Sequence, residues 1–533
     1  MNEQDVMQEY KSRWWAFAAL SLCLLVISLD NTILNVALPT LARDLSATAS
    51  QQQWMVDAYI LVFASLLLTM GSLSDRFGRK RALLVGLLVF CVGSIGAAFS
   101  GSANQLIAAR CLMGIGGALI MPSTLSITTN MFSGKERARA IGGWSGIGAL
   151  GLVIGPLTGG WLLAHFSWGW VFLINVPLIV LTILGSLWLV PESKDPAASR
   201  LDPVGALLSI GGLTTLVYAI IQVPANGWGD PVVLTCFVIA GVLLSMMILW
   251  ELRSRSPMLD MKLFRNPRFS AASLALTLTA FGMFGSLFFL TQYLQEVLGY
   301  SALDAGVRTI PLALAVFVGA PLSIRITELI GTKITVTAGL MITSGGFALW
   351  STTSPASGYG LMVVVLIVLG VGMGVAMAPA TSSIMGTLPL GKAGVGSAVN
   401  DTTRMVGGTL GVAVLGSILA ATYHSAIDNA NTLRLLPEPL KAVVRDSISA
   451  ATLVVAHVPR SIGQTIHTAA IAAFVSAMDQ SLLISAGVIF CAALVALLFL
   501  PAHEKKASTD LTSLEGIATI KEREEQKEAQ TKV

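Results

Sequence analysis

The stretch Leu29-Asp30-Asn31-Thr32 places a carboxylate inside the first long apolar run of the chain, residues 14–38. A run of this length can cross a lipid bilayer as a helix, which takes about 20 residues. Asp30 lies roughly 24 Å along that helix at ~1.5 Å per residue, past the midplane but still within hydrocarbon. A charge there costs roughly 2.5–3.5 kcal/mol, and intramembrane acids usually mark ion or substrate pathways. We therefore predict a functional role for Asp30; the alternative is a structural pairing or a position near the membrane surface.

The composition is that of a membrane protein with many spans. Of the 533 residues, 54% are hydrophobic and only 12% are charged, whereas a soluble domain is about 25% charged. The N-terminal segment is polar and mixed in charge, and its apolar run is too long for a cleavable signal peptide. The five cysteines lie in apolar runs without a Cys-x-x-Cys pair, and the five histidines lack ligand spacing. We therefore expect the first span to be retained, and we predict neither a disulfide framework nor a metal site.

Fourteen apolar runs have the length of a membrane span. They are residues 14–38, 53–73, 82–100, 104–126, 138–162, 168–190, 204–223, 232–250, 270–294, 305–324, 334–351, 360–385, 395–421 and 481–501, numbered here as spans 1 to 14. Most of the 33 lysines and arginines fall in one alternate set of loops and in the two termini. Because cytoplasmic loops collect these residues, the pattern predicts an even number of spans with both termini in the cytoplasm.

Two sequence patterns recur in the two halves of the chain. Gly78-Arg79-Lys80 with Gly86-Leu87 matches Gly331-Thr332-Lys333 with Gly339-Leu340 at the same internal spacing. Gly117, Pro122 and Thr124 likewise match Gly374, Pro379 and Thr381. A repeat of about 255 residues is typical of transporters built from two six-helix bundles with the substrate site between them. Chance similarity among glycine-rich helices is the alternative.

The repeat predicts the organisation of the whole chain, with spans 7 and 8 as an insertion. The predicted parts are a cytoplasmic N-terminus (1–13), an N-terminal six-helix bundle (14–190), two inserted linker helices (191–250), a C-terminal bundle (251–421), an outer loop (422–480), the last span (481–501) and a cytoplasmic tail (502–533). Within the outer loop, residues 440–455 and 462–478 have helical periodicity and predict a hairpin on the outer face. The tail alternates Glu and Lys, which is typical of a solvated helix or a disordered segment.

The loop between spans 2 and 3 reads Gly71-Ser72-Leu73-Ser74-Asp75-Arg76-Phe77-Gly78-Arg79-Lys80-Arg81. It resembles the signature loop of the major facilitator superfamily. The resemblance implies an all-α integral membrane fold of two six-helix bundles, here with two inserted helices. It also implies that the loop latches the bundles in the outward-open state, chiefly through Asp75 and Arg79. The other positions to which it gives a gating role are Arg76, Gly78 and Arg81.

Three further stretches resemble motifs of that superfamily, and the first of them resembles the 14-span drug/proton antiporters in particular. They are Leu29 to Pro39 in span 1, Ala108 to Gly114 around Arg110 in span 4, and Gly148 to Gly160 in span 5. The stretch Trp168 to Pro177 in span 6 is similar as well. The span 5 stretch resembles the antiporter signature of drug exporters, and its conformational positions are Gly155, Pro156, Gly159 and Gly160. If spans 1 and 4 meet as they do in this fold, Arg110 is the partner of Asp30.

The stretch Gln53 to Tyr59 carries Asp57 where many members have an uncharged residue. An acid there, together with Asp401 in span 13, resembles the quaternary-ammonium exporter branch. That branch tends to carry two adjacent acids and a third four residues on, whereas this chain has Asn400, Asp401 and Met405. The difference favours monovalent over divalent cations. For Asp57 the alternative is a structural position near the outer surface, and for Asp401 a local ion pair with Arg404.

The predicted chemistry follows from the burial of these acids. Burial in a low dielectric raises the pKa of a carboxyl group, and an arriving cation favours the charged form and displaces the proton. The predicted proton-coupling residues are Asp30, Arg110 and Asp401. Asp57 and Asp401 are predicted to bind substrate, with cation–π contacts from Trp54, Tyr59, Phe288, Phe289 and Tyr293.

We therefore predict a proton-coupled antiporter in the cytoplasmic membrane that exports lipophilic organic cations by alternating access. Its expected substrates include quaternary ammonium compounds, dyes and biguanides. We expect the proton gradient as energy source, no cofactor, no nucleic-acid partner and a monomer. An enzyme is not expected, because the chain lacks a nucleophile–base set and a phosphate loop. The alternatives are an exporter of the same fold for a neutral or anionic antibiotic or a metal–tetracycline chelate, or a non-transporting membrane scaffold.

Overall fold

The computed structural model describes residues 3–47, 49–194, 202–254, 257–429, 437–455 and 458–501. Within these ranges the chain is helical and has no β-strand. Thirteen helices are long and apolar enough to cross a membrane. One of them, Asp304–Trp350, contains Gly331 in a non-helical conformation, which divides it into two segments. The described residues therefore contain the fourteen predicted spans.

The N-terminal bundle consists of spans 1 to 6. Its helices are Glu3–Asp44, Ala49–Phe77, Arg79–Ala98, Ala103–Met131, Gly134–His165, and the pair Trp170–Leu173 and Asn175–Leu189, which together form span 6. Their inward faces bury leucine, isoleucine and phenylalanine side chains such as Leu87, Phe90 and Leu106. The first helix is longer than the predicted span 1, because the polar residues before Trp14 continue it.

The inserted helices are Pro203–Asn226, which is span 7, and Pro231–Arg253, which is span 8. Each begins with an aspartate cap followed by proline, Asp202 for span 7 and Asp230 for span 8. An aspartate cap satisfies free N–H groups of the first turn, and proline suits that turn because it lacks an N–H group.

The C-terminal bundle consists of spans 9 to 14. Its helices are Pro267–Gln292 with the π-turn Tyr293–Val297, Ala302–Arg308 and Ile310–Trp350, which give spans 10 and 11, then Gly358–Gly386, Ala393–Asp428 and Arg460–Phe499. Its core includes Phe289, Phe347, Trp350 and Phe474.

The same local geometry occurs in both bundles, as the sequence repeat predicts. Gly78 ends span 2 with φ 110° and Gly331 separates spans 10 and 11 with φ 83°, a region that side chains other than glycine rarely adopt. A Cβ on Gly86 would lie 2.9 Å from the Gly116 carbonyl oxygen, and one on Gly339 would lie 2.9 Å from that of Gly372. Glycine thus permits the same close helix crossing in each half.

The outer loop differs from the predicted hairpin. Its first predicted arm forms two short helices, Glu438–Asp446 and Ile448–Val455. Its second arm is continuous with span 14, which begins at Arg460 rather than at residue 481. The reason is that no proline interrupts residues 460–499, and the apolar residues of the arm, among them Phe474 and Met478, pack into the C-terminal core. The predicted tail, 502–533, lies outside the described residues, as does His457 at the predicted break.

Span 7 covers one lateral seam between the two bundles. Thr214 donates a hydrogen bond of 2.9 Å to Ser65 of span 2. Ile220 and Val223 pack against Ala413 of span 13. In the following description, the basic end is the end of the bundles that carries Arg79, Lys80, Arg81 and Lys135, and the far end is the opposite one.

Candidate functional site

Asp30 lies in the interior of the N-terminal bundle with all of its side chain buried. One carboxylate oxygen, Oδ2, forms an ion pair of 2.5 Å with Arg110 of span 4. The other, Oδ1, accepts a hydrogen bond of 3.1 Å from the side-chain amide of Asn175 in span 6. Asn175 in turn lies 3.1 Å from the hydroxyl of Ser94 in span 3. Four helices therefore hold this carboxylate, and both of its oxygens have partners.

Arg110 is fixed on its other side by span 2. Its Nε donates to the Met55 carbonyl oxygen at 3.1 Å, and its guanidinium lies 4.4 Å from the centre of the Tyr59 ring. The side chains of Met55 and Tyr59 are fully buried. The predicted pair of Asp30 and Arg110 is thus present as a buried charge pair, with the hydrogen bonds that such a pair needs to offset its desolvation.

The glycines of span 5 pack directly against span 1. A Cβ on Gly155 would overlap the hydroxyl of Thr32, and one on Gly159 would lie 2.7 Å from Ile33. Thr32 also lies within hydrogen-bonding distance, 3.2 Å, of the Gly151 carbonyl oxygen. The stretch that contains Asp30 and the glycine-rich stretch of span 5 are therefore one contact surface.

Asp401 occupies a different environment, on the surface where the C-terminal bundle meets the N-terminal bundle. Its neighbours on the same side of span 13 contact the other bundle: Ala398 lies against Gly71, and Met405 packs on the N-terminal core. The side chain is 3% exposed. Its Oδ1 accepts a hydrogen bond of 3.1 Å from Asn400, whereas Oδ2 is buried and has no hydrogen-bond partner among the described residues.

Arg404 does not neutralise Asp401 by direct contact. The charged atoms of the two side chains are not within the 4.0 Å of an ion pair, although their charges interact across a longer distance. The Arg404 guanidinium instead lies 6.0 Å from the ring of Trp144 in span 5, which places it between the bundles. The local ion pair that the spacing of these residues suggested is therefore not formed.

Asp57 faces the same interface at another depth. Three helical turns further along span 2, Leu68 packs into the C-terminal core, and five turns further along, Asp75 bonds to span 13. Asp75 contacts Gly394 at the basic end. From that contact, Asp57 lies about five turns away along span 2 and Asp401 about two turns away along span 13, so their carboxylates are separated by roughly 17 Å along the bundle axis. Asp57 lies nearer the far end.

The aromatic residues predicted to bind substrate occupy different places. Tyr59 is enclosed in the N-terminal bundle beside Arg110, and Tyr293 is enclosed in the C-terminal bundle, where its hydroxyl donates to the Ser354 carbonyl oxygen at 3.0 Å. Phe289 is also buried in that bundle. Trp54 remains partly exposed, and the side chain of Phe288 lies outside the described residues. Among the described side chains of this set, only Trp54 therefore lies close to an interfacial acid.

The signature loop joins the two bundles at the basic end. Asp75 accepts hydrogen bonds from the backbone N–H groups of Gly394 and Val395, at 2.8 and 3.0 Å, in the first turn of span 13. This is the end of a helix that favours negative charge. Arg79 bonds both to Asp75 and, at 2.8 Å, to the Gly391 carbonyl oxygen. In this conformation the bundles are therefore closed together at the basic end.

Two of the remaining basic residues of the loop, Lys80 and Arg81, contact residues at or just after the end of span 6. Arg81 is largely exposed and lies 3.7 Å from Glu192, which follows span 6. Arg76 lies over the ring of Phe77. Glu192 also accepts a hydrogen bond from the backbone N–H of Lys80 at 3.2 Å, so it caps the start of span 3.

Four contributing residues were missing from the sequence-based set. They are Ser94, Asn175, Thr381 and Asn400. Thr381 of span 12 donates to Asn400 at 3.0 Å, and Asn400 holds Asp401. Asn175 and Asn400 are amides inside long apolar spans, and this was a usable signal, because buried polar groups in lipid need partners.

Comparison with known proteins identifies the family. The sequence model of the Major Facilitator Superfamily matches residues 20–412. The chain therefore belongs to this superfamily, and it is a multi-pass membrane transporter rather than an enzyme. The predicted family, fold class and non-enzymatic nature are confirmed.

Curated relatives cover most of the chain. It is 37% identical over 484 residues to the multidrug efflux pump LfrA of Mycolicibacterium smegmatis, which covers 90% of this chain and 95% of the relative. It is 32% identical to the tetracenomycin C resistance and export protein of Streptomyces glaucescens, covering 91% of each. It is also 32% identical to the methyl viologen resistance protein SmvA of Salmonella typhimurium, covering 87% of this chain and 93% of that one.

Solved structures support the fold. A bacterial homologue of the human lysosomal transporter Spinster, in an inward-facing and unoccupied conformation, matches with a TM-score of 0.56 at 20% identity and covers 91% of this chain and 98% of its own. At this identity the match concerns the architecture alone.

Proposed function

We propose that this chain is a proton-coupled antiporter that exports lipophilic organic cations. The observation that carries the proposal is the carboxylate of Asp401, which is buried at the interface between the bundles and has one oxygen that no described residue hydrogen bonds. Such an oxygen can hold a proton or lie against a cation, and the two compete because each favours a different protonation state. Exchange of one for the other requires no covalent step.

The geometry changes the role we give to Asp30. A substrate cannot reach its carboxylate without displacing Arg110 or Asn175, so we assign the direct competition to Asp401. Asp30 and Arg110 remain in the proposal as a coupling pair. A proton on Asp30 would weaken the ion pair between Asp30 and Arg110. The Arg110 guanidinium also contacts span 2, which is the helix that carries Asp57.

Export and orientation rest on two further supports. LfrA is named as a multidrug efflux pump, and the Streptomyces glaucescens relative as a resistance and export protein. SmvA is named as a resistance protein. The concentration of Lys and Arg at the basic end supports a cytoplasmic position for that end. We propose a monomer in the cytoplasmic membrane, with both termini in the cytoplasm and the proton gradient as energy source.

A second candidate substrate class is a neutral or anionic antibiotic. The similarity to the tetracenomycin C export protein favours it. The similarity to the methyl viologen resistance protein favours cations. We prefer cations because Asp57 and Asp401 both face the interface.

The test is substrate-dependent proton release from purified protein in weakly buffered detergent. We expect ethidium and a tetraalkylammonium ion to release protons from the wild type. Asp401→Asn should reduce the release at least tenfold, and Asp57→Asn should weaken cation binding more than that of a neutral antibiotic. Release from the wild type by a neutral antibiotic but by neither cation would support the second candidate and overturn the first.

Alternating access has a separate test at the basic end. A Cβ on Gly394 would lie 2.6 Å from the Asp75 carboxylate, so Gly394→Ala should open the latch and reduce transport several-fold. Gly416→Ala, in the same span, is the matched control because nothing lies within 4 Å of its Cβ position. Equal transport by the two variants would show that the latch does not limit the cycle.

A further inference from the structure

The inserted span 7 places an aromatic ring beside the predicted substrate residues of span 2. Tyr218 stacks on Trp54 with the ring centres 6.0 Å apart and the planes 27° apart. Gln222, one turn along span 7, donates to the Tyr218 hydroxyl at 3.1 Å. Both rings are partly exposed, in contrast to the enclosed rings of Tyr59 and Tyr293.

The stacked pair lies next to the interfacial acid at the far end. Trp54 is one helical turn before Asp57, so the two side chains lie on neighbouring parts of the span 2 surface. Gln53, one turn before Asp57 on span 2, lies close enough to interact with the Asp57 side chain. Tyr59 points the other way, toward Arg110, which also donates to the Met55 carbonyl oxygen. Span 2 therefore separates a sealed charge pair from a partly open group of one acid and two rings.

We propose that Trp54 and Tyr218 form an aromatic subsite for organic cations, with Asp57 supplying the countercharge. Tryptophan and tyrosine faces attract cations within about 6 Å of the ring centre, and tryptophan does so most strongly. A flat aromatic cation adds stacking to this attraction. The inserted helices are thus part of the binding site as well as a cover of the seam. This inference rests on the proposed function and extends it to a residue outside the two bundles.

A purely structural role for the stack would be to hold span 7 against span 2. The structure contains a second contact between the same helices, the hydrogen bond from Thr214 to Ser65, about three turns from Trp54. Because this contact is remote from Asp57, its loss tests the packing of span 7 without touching the subsite. Thr214→Val is therefore the matched control.

The experiment measures ethidium and tetraphenylphosphonium export in proteoliposomes with an imposed pH gradient. We expect Tyr218→Leu to raise the KM for both cations about five- to tenfold with little change in maximal rate. Tyr218→Phe, which keeps the ring, should stay within twofold of the wild type, and so should Thr214→Val. Monodisperse elution of each variant in gel filtration checks that it is folded.

Three outcomes overturn the inference. An unchanged KM in Tyr218→Leu removes the ring from the binding site. A rise in KM in Thr214→Val equal to that in Tyr218→Leu would show that the stack of Trp54 and Tyr218 is only a packing contact. Wild-type protein that exports neither cation would refute the proposed function and this inference together, whereas the first two outcomes refute the inference alone.

Discussion

Asp30 and Asp401 are both carboxylates in apolar spans, yet their surroundings differ. Asp30 has a guanidinium on one oxygen and an amide on the other, and both partners come from other helices of its own bundle. Asp401 has an amide from the adjacent residue on one oxygen, and within the described part of the chain it has no partner on the other. Asp30 lies inside a bundle, and Asp401 lies between bundles.

Under the proposed function, the fully partnered Asp30 stabilises its bundle and couples to Arg110, whereas Asp401 carries the exchange. A buried charge with all its partners is costly to disturb, because removing one partner leaves an uncompensated charge. A buried carboxylate that lacks a partner is already costly in the charged form, so it gains by taking up a proton or a cation. We therefore expect substitutions at the two sites to separate stability from transport.

The largest expected effect on stability is that of Arg110→Ala. Leaving Asp30 buried and unpaired should reduce the free energy of unfolding by about 3–5 kcal/mol. Thermal unfolding in detergent, followed by gel filtration, measures the loss. The double variant Asp30→Asn with Arg110→Ala should recover a large part of it, since no charge is then left buried. A double variant as unstable as Arg110→Ala would contradict the assignment of a charge pair.

A smaller loss is expected for Asn175→Ala. It removes a hydrogen bond to the charged Asp30, and such bonds are worth about 1.5–3 kcal/mol. Ser94→Ala is the control, because the Ser94 hydroxyl touches Asn175 without touching Asp30. In the same unfolding assay, Ser94→Ala should lose less stability than Asn175→Ala. A larger loss in Ser94→Ala would contradict the geometry.

Thr381→Val tests the support of Asp401. The hydrogen bond to Asn400 joins two neutral groups, so its loss should cost about 0.6 kcal/mol, as is common between helices in membranes. Because Asn400 holds Asp401, we also expect a shift in the pH dependence of transport. Thr381→Ser keeps the hydroxyl and should restore the wild-type profile. An unaltered pH dependence of transport in Thr381→Val would show that Asn400 does not affect the function of Asp401.

The smallest expected effect on stability is that of Asp401→Asn. This substitution removes a charge whose second oxygen has no partner, so the unfolding free energy should stay within about 0.5 kcal/mol of the wild type or rise. Asp30→Asn in the same assay should be clearly destabilising, because it leaves Arg110 with a weaker partner. Equal losses of unfolding free energy in the two variants would show that the two sites do not differ in their contribution to stability.

Much of the architecture could be predicted from the sequence. Span length, basic loops and the repeat around Gly78 and Gly331 follow from local rules, namely bilayer thickness, loop charge and the φ angle that glycine allows. The pairing of Asp30 with Arg110 also followed, through the resemblance of spans 1 and 4. The start of span 14 did not, because an outer helix continuous with a span lacks a local boundary signal.

The side-chain environments could not be predicted in the same way. Sequence analysis placed Trp54, Asp57 and Tyr59 together among the candidate substrate-binding residues. The structure separates Tyr59 from the other two, since neighbouring residues on a helix point in different directions. It also adds Tyr218, which is far from them in sequence and comes close only because span 7 packs on span 2.

The sequence by itself determined that this protein is a fourteen-span member of the Major Facilitator Superfamily with acids inside its spans. Each of these properties depends on hydropathy, length or a short motif, which are local in the chain. Only the tertiary structure decided which acid has all its partners and which does not. The partners of Asp30 and the empty side of Asp401 are set by which helices meet, and that depends on packing between residues that are 80 or more positions apart in the chain.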